Sequence, residues 1–272
     1  MGFVIFIAAF CFCSVWASPL EDVPRLVPVP LKDMGVRIVN GERAENGQLP
    51  WQVAIMGRSS TIPRYLCGGT LISEEWVLTA GHCVEGAISA IIYTGEVRLS
   101  STNRTTSQAS DFILHEDYDP MYLTNDIGLI KLATPLTFDG NTRAIPLAEQ
   151  ELQSDTVVTV SGWGQTSDAD PTPNSDYLNY VDLSTIDNDS CKAYYGGVTV
   201  GPGLVCTSTG DDPLKSPCLG DSGGPVVLNA FTDPVLVGVF SFVNGYGCEY
   251  PYPAGHTRIA YYREWIRTNS GV

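Results

Sequence analysis

The chain has 272 residues and a formal net charge of −15 at pH 7, from 30 Asp and Glu against 15 Lys and Arg. That balance excludes the basic footprint of a nucleic-acid binder, and an anionic membrane surface would repel it. It favours colloidal solubility, and it can steer cationic substrates toward the molecule.

Taken in chain order, residues 1–17 carry the apolar run from Gly2 to Phe10 and end on Val15-Trp16-Ala17. The run is short for a bilayer span and closes on a small residue, so it reads as a signal peptide, with the product secreted and extracellular. Residues 18–37 are rich in Pro, Val and Leu and follow neither a helical nor a strand period. Such a segment buries little and reads as an exposed propeptide ending at Arg37, ahead of Ile38-Val39-Asn40-Gly41. Residues 38–272 are then one domain, long enough for a sizeable core.

Within that domain, β-branched and aromatic runs recur between Gly, Pro, Asn and Ser clusters. They include Trp51–Ile55, Trp76–Leu78, Ile127–Leu132, Val157–Val160 and Val235–Phe240. The pattern predicts an all-β barrel or sandwich, without deciding between one barrel and two. Only Ile259–Ile266, near the end, spaces its apolar residues as a helix does.

Of the 8 cysteines, Cys11 and Cys13 lie in the signal peptide, leaving Cys67, Cys83, Cys191, Cys206, Cys218 and Cys248. An even set in an oxidising compartment reads as disulfides, and six cysteines allow fifteen pairings between which spacing does not choose. A zinc site fits poorly, because there is no Cys-x-x-Cys pair and the chain has only 3 His. No paired carboxylates are spaced for calcium, and no metal or cofactor is expected.

Three segments carry chemistry: Thr79-Ala80-Gly81-His82-Cys83, Asn125-Asp126-Ile127-Gly128-Leu129 and Gly220-Asp221-Ser222-Gly223-Gly224-Pro225. A serine hydroxyl is a weak nucleophile at neutral pH until an imidazole takes its proton and a buried carboxylate orients the imidazole. The Gly-x-Ser-x-Gly run also fits an α/β-hydrolase, but that fold needs the order Ser, Asp, His along the chain. Here the order is His, Asp, Ser, and no strand–helix alternation surrounds His256, the one histidine downstream of Ser222. His115 and His256 have no such setting and read as non-catalytic.

Together these segments resemble the chymotrypsin-like (trypsin-type) serine peptidase family, over nearly all of the chain after residue 37. The stretches Gly247-Cys248-Glu249 and Tyr261–Trp265 look similar to arthropod chymotrypsin, elastase and collagenolytic members. The resemblance implies two six-stranded antiparallel β-barrels with a C-terminal helix and the site in the cleft between them. It implies the pairings Cys67–Cys83, Cys191–Cys206 and Cys218–Cys248. Ser222 would be the nucleophile, His82 the general base and Asp126 the orienting carboxylate, itself accepting a hydrogen bond from Ser241. The backbone N–H groups of Gly220 and Ser222 would form the oxyanion hole. Cutting after Arg37 would free the Ile38 ammonium to pair with Asp221.

The same resemblance puts Ser216 at the base of the primary substrate pocket and Val243 and Ala254 on its walls. Pro217, Phe240, Ser241 and Phe242 stand beside them as further substrate-binding residues. With no carboxylate at the base, and Val and Ala where readers of large aromatics have Gly, the pocket suits small to medium apolar residues. A preference for Leu, Phe or Tyr is the runner-up. Partners implied are protein or peptide substrates, a trypsin-like activating protease and protein inhibitors, with a monomer as the family default. The rival from another class is a catalytically silent homologue acting as a binding protein, but every triad and activation residue is in place. Asn103-Arg104-Thr105 and Asn188-Asp189-Ser190 are N-glycosylation triplets.

Overall fold

The computed structural model of the chain describes residues 38–165, 167–169, 174–208 and 215–272. The segments read as signal peptide and propeptide, up to and including Arg37, lie outside the described residues.

The short strand β1 (Glu42–Arg43) precedes β2 (Gln52–Ser59), β3 (Tyr65–Leu71), β4 (Trp76–Thr79), β5 (Ala87–Thr94), β6 (Thr105–Leu114) and β7 (Gly128–Leu132). Strands β2 to β7 close an antiparallel barrel in the order β2-β3-β4-β7-β6-β5. Strand β3 is buried along its whole length, because barrel interior and neighbouring segments cover both of its faces. Strand β6 is polar and largely exposed, which is why no apolar run marks it in the sequence.

The chain then forms β8 (Val157–Gly162), β9 (Asn179–Ile186), helix α1 (Asn188–Thr199), β10 (Leu204–Ser208), β11 (Pro225–Leu228), β12 (Val235–Phe242) and β13 (Ala254–Arg258). Strand β8 pairs with both β11 and β9, so β8-β9-β10-β13-β12-β11 close a second six-stranded barrel, with β1 attached outside β9. Helix α2 (Ile259–Ser270) ends the chain and buries Ile259, Tyr262 and Ile266. All five apolar runs and the terminal helix read from the sequence are therefore present.

Helix α1 is the element that apolar spacing did not announce. Its start is made by Asp187, whose side chain accepts from the Ser190 N–H at 2.8 Å, an N-cap. Its regular part ends at Gly196, where φ is 76°. So short a helix, with Cys191, Tyr195 and Thr199 as its buried residues, is held by packing rather than by a long apolar stripe.

Disulfides join Cys67 to Cys83, Cys191 to Cys206 and Cys218 to Cys248. The first ties β3 to the loop that carries His82. The second ties α1 to β10, and the third joins the segment before Ser222 to the loop after β12. No helix among the described residues is long and apolar enough to cross a membrane.

Candidate active site

The cleft between the barrels gathers the residues that the motifs single out. Asp126 stands just before β7, is 1% exposed, and is held from both barrels. From the first barrel, the His82 backbone N–H donates to its Oδ1 at 2.8 Å, and His82 Nδ1 lies 2.9 Å from its Oδ2. From the second, Ser241 Oγ donates to Oδ2 at 2.5 Å, and Thr257 Oγ1 donates to the Asp126 carbonyl at 2.6 Å.

A bare carboxylate this deep would pick up a proton, since burial favours the neutral form. Here burial is outweighed by the His82 imidazole and by donors on His82 and Ser241, and the net pKa is lowered. The reciprocal effect acts on His82: burial pulls its pKa down, but Asp126 and then Glu85 more than compensate, leaving it above the ordinary 6.5. The pair thus keeps a charged carboxylate against an imidazole whose Nδ1 is engaged, which leaves Nε2 for proton traffic.

Ser222 sits on a loop pressed against the His82 loop. Its carbonyl accepts from the Gly68 N–H at 2.7 Å and lies 3.6 Å from Cys83 Sγ, next in the chain to His82. The next residue allows this closeness. Gly223 has φ 80°, and a Cβ there would stand 2.1 Å from Thr79 Oγ1 and 2.5 Å from the Gly68 carbonyl oxygen. Only glycine lets the two backbones meet. The two nitrogens of the expected oxyanion site belong to the same turn, in which Gly220 has φ 94°, a conformation that side-chain-bearing residues rarely adopt.

Asp221, between them, points the other way. It is fully buried; its Oδ1 accepts from the Gly164 N–H at 2.5 Å and its Oδ2 from the Cys218 N–H at 2.9 Å. Burial nevertheless pushes its pKa up to about 7, because two amides do not replace the lost water. Gly162 and Gly164 wall this socket, and a Cβ on either would collide with the carboxylate. Ile38 and Val39 are both fully buried, and the Val39 N–H donates to the Ser216 carbonyl at 3.0 Å. The first described residues of the chain are therefore bonded to the expected base of the substrate pocket.

Phe240, Val243 and Ala254 share one apolar cluster with Ile38, Val39, Cys218 and Cys248. Ser216 and Pro217 are buried beside it in the chain, and Ser216 Oγ donates to the Pro217 carbonyl at 2.8 Å. Phe242 is elsewhere. The β12–β13 register shifts between Phe240 and Phe242, and a bulge of this kind re-aims side chains. Ser241 is thereby turned onto Asp126, and Phe242 joins Leu123, Tyr195 and the Cys191–Cys206 bridge, its ring 5.1 Å from that of Tyr195. The other histidines have separate settings. His115 lies between Tyr262 and Trp265, while buried His256 faces Thr207 Oγ1 at 2.8 Å, its pKa depressed to about 3 by burial.

The sequence model of the family described as Trypsin matches residues 38–266. The chain belongs to the trypsin family of serine proteases. Among its relatives in that family, brachyurin of Leptuca pugilator is 38% identical over 237 residues, covering 86% of this chain and 99% of that protein. The protein named collagenase of Hypoderma lineatum is 35% identical over 240 residues, covering 87% of this chain and 88% of its own. A solved structure titled HL collagenase superposes with a TM-score of 0.77 at 36% identity, covering 86% of this chain and 99% of the other. As a trypsin-family enzyme the chain is a hydrolase of the serine-protease class.

Several residues around the site had no sequence signal. Thr257, which bonds the Asp126 carbonyl, and Tyr262, whose hydroxyl donates to Asn125 Oδ1 at 2.8 Å, lie more than 130 residues from their partners in the chain. Gly162 and Gly164 do show in the sequence as a small-residue pair flanking Trp163, but only the socket explains them.

Proposed function

We propose that this protein is a secreted serine endopeptidase made as a zymogen and activated by cleavage after Arg37. The observation that carries the reading is the buried Asp126 carboxylate, held by His82 and by Ser241 from the opposite barrel. It orients His82 so that Nε2 takes the Ser222 hydroxyl proton as Oγ attacks the peptide carbonyl carbon. The N–H groups of Gly220 and Ser222 receive the negative charge that develops on the carbonyl oxygen, a contribution of about 3 kcal/mol per donor in such enzymes. The carbon–nitrogen bond then breaks, and His82 gives its proton to the leaving amine. Water repeats the cycle on the acyl-enzyme, losing its proton to His82 and releasing the acid and free Ser222.

Activation rests on Asp221. Raising a carboxyl from 3.8 to about 7 corresponds to roughly 4 kcal/mol against its charged form, at about 1.4 kcal/mol per unit. A cation delivered into the glycine-walled socket relieves that penalty. The α-ammonium of Ile38, released by cleavage, is suited to the task because Ile38 is buried and Val39 is already bonded to Ser216. Cleavage would thus complete the oxyanion turn through Asp221, beside a pocket base that Val39 already braces.

For the residue before the scissile bond, the cluster of Phe240, Val243 and Ala254, with Ser216 rather than a carboxylate at the base, favours Ala, Val or Leu over Lys or Arg. One or two methylenes in such a pocket decide about 1–3 kcal/mol. The relatives named collagenase and brachyurin make protein substrates the reasonable class. Purified precursor, cut with trypsin that is then blocked, should turn over matched peptides ending in Ala, Val or Leu roughly tenfold or more faster than Lys or Arg peptides. It should also label at Ser222 with a fluorophosphonate. Preference for Phe or Tyr would overturn the narrow-pocket reading. No turnover, with Ile38 verified as the new N-terminus, would leave a silent binding protein.

A further inference from the structure

Two Asn-x-Ser/Thr triplets play no part in the catalytic reading, and the fold treats them in opposite ways. Asn103 is exposed in the turn that leads into β6. Its backbone N–H donates to Ser101 Oγ at 3.1 Å, while its carboxamide has no partner among the described residues. Thr105, two residues on, is also exposed, and its hydroxyl has no partner among the described residues. Arg104 between them turns inward: its guanidinium lies 4.2 Å from the centre of the Tyr93 ring and donates to the carbonyls of Leu99 and Ser101. With Arg104 anchored between them, Asn103 and Thr105 are both left exposed to solvent.

The other triplet is spent on the fold. Asn188 Nδ2 donates to the Gly201 carbonyl at 2.9 Å, and its Oδ1 accepts from Arg258 Nη2 at 3.3 Å. Ser190 gives both its N–H and its hydroxyl to Asp187 in the cap of α1. A sugar on Asn188 Nδ2 would compete with Gly201 and disturb the carboxamide facing Arg258, which is 8% exposed.

We propose that Asn103 carries an N-linked oligosaccharide and that Asn188 does not. The donor is a lipid-pyrophosphate-linked oligosaccharide. Asn103 Nδ2 forms a bond to its anomeric carbon, the carbon–oxygen bond to pyrophosphate breaks, and the lipid pyrophosphate leaves with the electron pair. One amide proton passes to a base, and Nδ2 keeps the other. A bulky hydrophilic group is tolerated at an exposed turn that makes no contact with its own carboxamide. The proposal rests on the signal-peptide reading of residues 1–17, since the chain must enter the secretory lumen to meet this donor.

The test uses the full chain expressed in secreting eukaryotic cells and collected from the medium. Peptide N-glycosidase treatment in heavy-oxygen water, followed by peptide mass mapping, reads occupancy site by site. Labelled aspartate is expected at 103 and unlabelled asparagine at 188. The gel shift on deglycosylation is lost in Asn103→Gln and Thr105→Ala and kept in Thr105→Ser and Asn188→Gln. A secreted, leader-free chain with unmodified Asn103 overturns the proposal, as does equal occupancy of Asn188. A chain retained in the cytosol with residues 1–17 attached overturns the signal-peptide reading and this proposal with it.

Discussion

Asp126 shows how much a single buried charge demands. It needs donors on both oxygens, and two of the groups that hold it come from strands of the other barrel, Ser241 and Thr257. Ser241→Ala removes a hydrogen bond to a charged group, worth about 1.5–3 kcal/mol when left unmade. The expected outcome in steady-state kinetics is a fall in kcat of about tenfold or more, because the lost hydrogen bond is one that holds Asp126. An unchanged kcat would show that Ser241 is merely a neighbour. The pH profile tests His82. The proposed base function needs the neutral imidazole, and the His82 pKa is raised above 6.5 by Asp126. Activity should therefore fall as pH drops through a midpoint above 6.5, not below it.

At the scale of elements, loops at the strand ends hold the residues of the candidate site and the barrels supply their rigidity. The turn after Ser222 lies against β3 and β4, and Gly223 is the point of closest approach. Gly223→Ala adds backbone strain of about 1–3 kcal/mol, before counting the collision with Thr79. We expect a lowered thermal midpoint and loss of most activity even in the protein that remains folded. Gly86→Ala is the control: φ is 61° there as well, but a Cβ would meet only Ser60 Oγ, at 3.6 Å. That variant should lose some stability and keep its kcat. The bulge between Phe240 and Phe242 makes a related point about legibility. Alternation along Val235–Phe242 puts Phe240 and Phe242 on one face, yet the register shift sends them to different clusters. Nothing in a strand-like run of residues announces an extra residue in the ladder.

Across the whole molecule, the proposed activation would couple the N-terminal end of the domain to the oxyanion turn through Asp221. An uncut Arg37→Gln chain should be nearly inactive after trypsin treatment. Asp221→Asn, cut normally at Arg37, removes one partner of the proposed buried pair, a loss of about 3–5 kcal/mol, so activity should drop at least a hundredfold. The sign of the pH effect follows. The proposed pairing with Asp221 would raise the Ile38 amine above its ordinary range of about 8, so the active form should persist below the raised value and be lost as pH climbs through it. In Asp221→Asn the residual activity should fade at lower pH than in the parent enzyme. An identical alkaline limb in both proteins would remove Asp221 from the switch.

The amino-acid sequence by itself determined the class of fold, the terminal helix and the three motifs around His82, Asp126 and Ser222. Local chemistry suffices for these: strand-forming runs broken by turn residues, a helical spacing, and glycines where the backbone must bend sharply. Which barrel supplies the second holder of Asp126, where Phe242 points, that Gly223 lets two backbones meet and that Asn103 is open while Asn188 is bonded were decided only by tertiary structure. Each depends on a contact between segments whose separation in the chain carries no local trace. Closing the barrels is what brings their atoms within hydrogen-bonding distance, and it is there that burial raises Asp221 and neighbouring charge lowers Asp126.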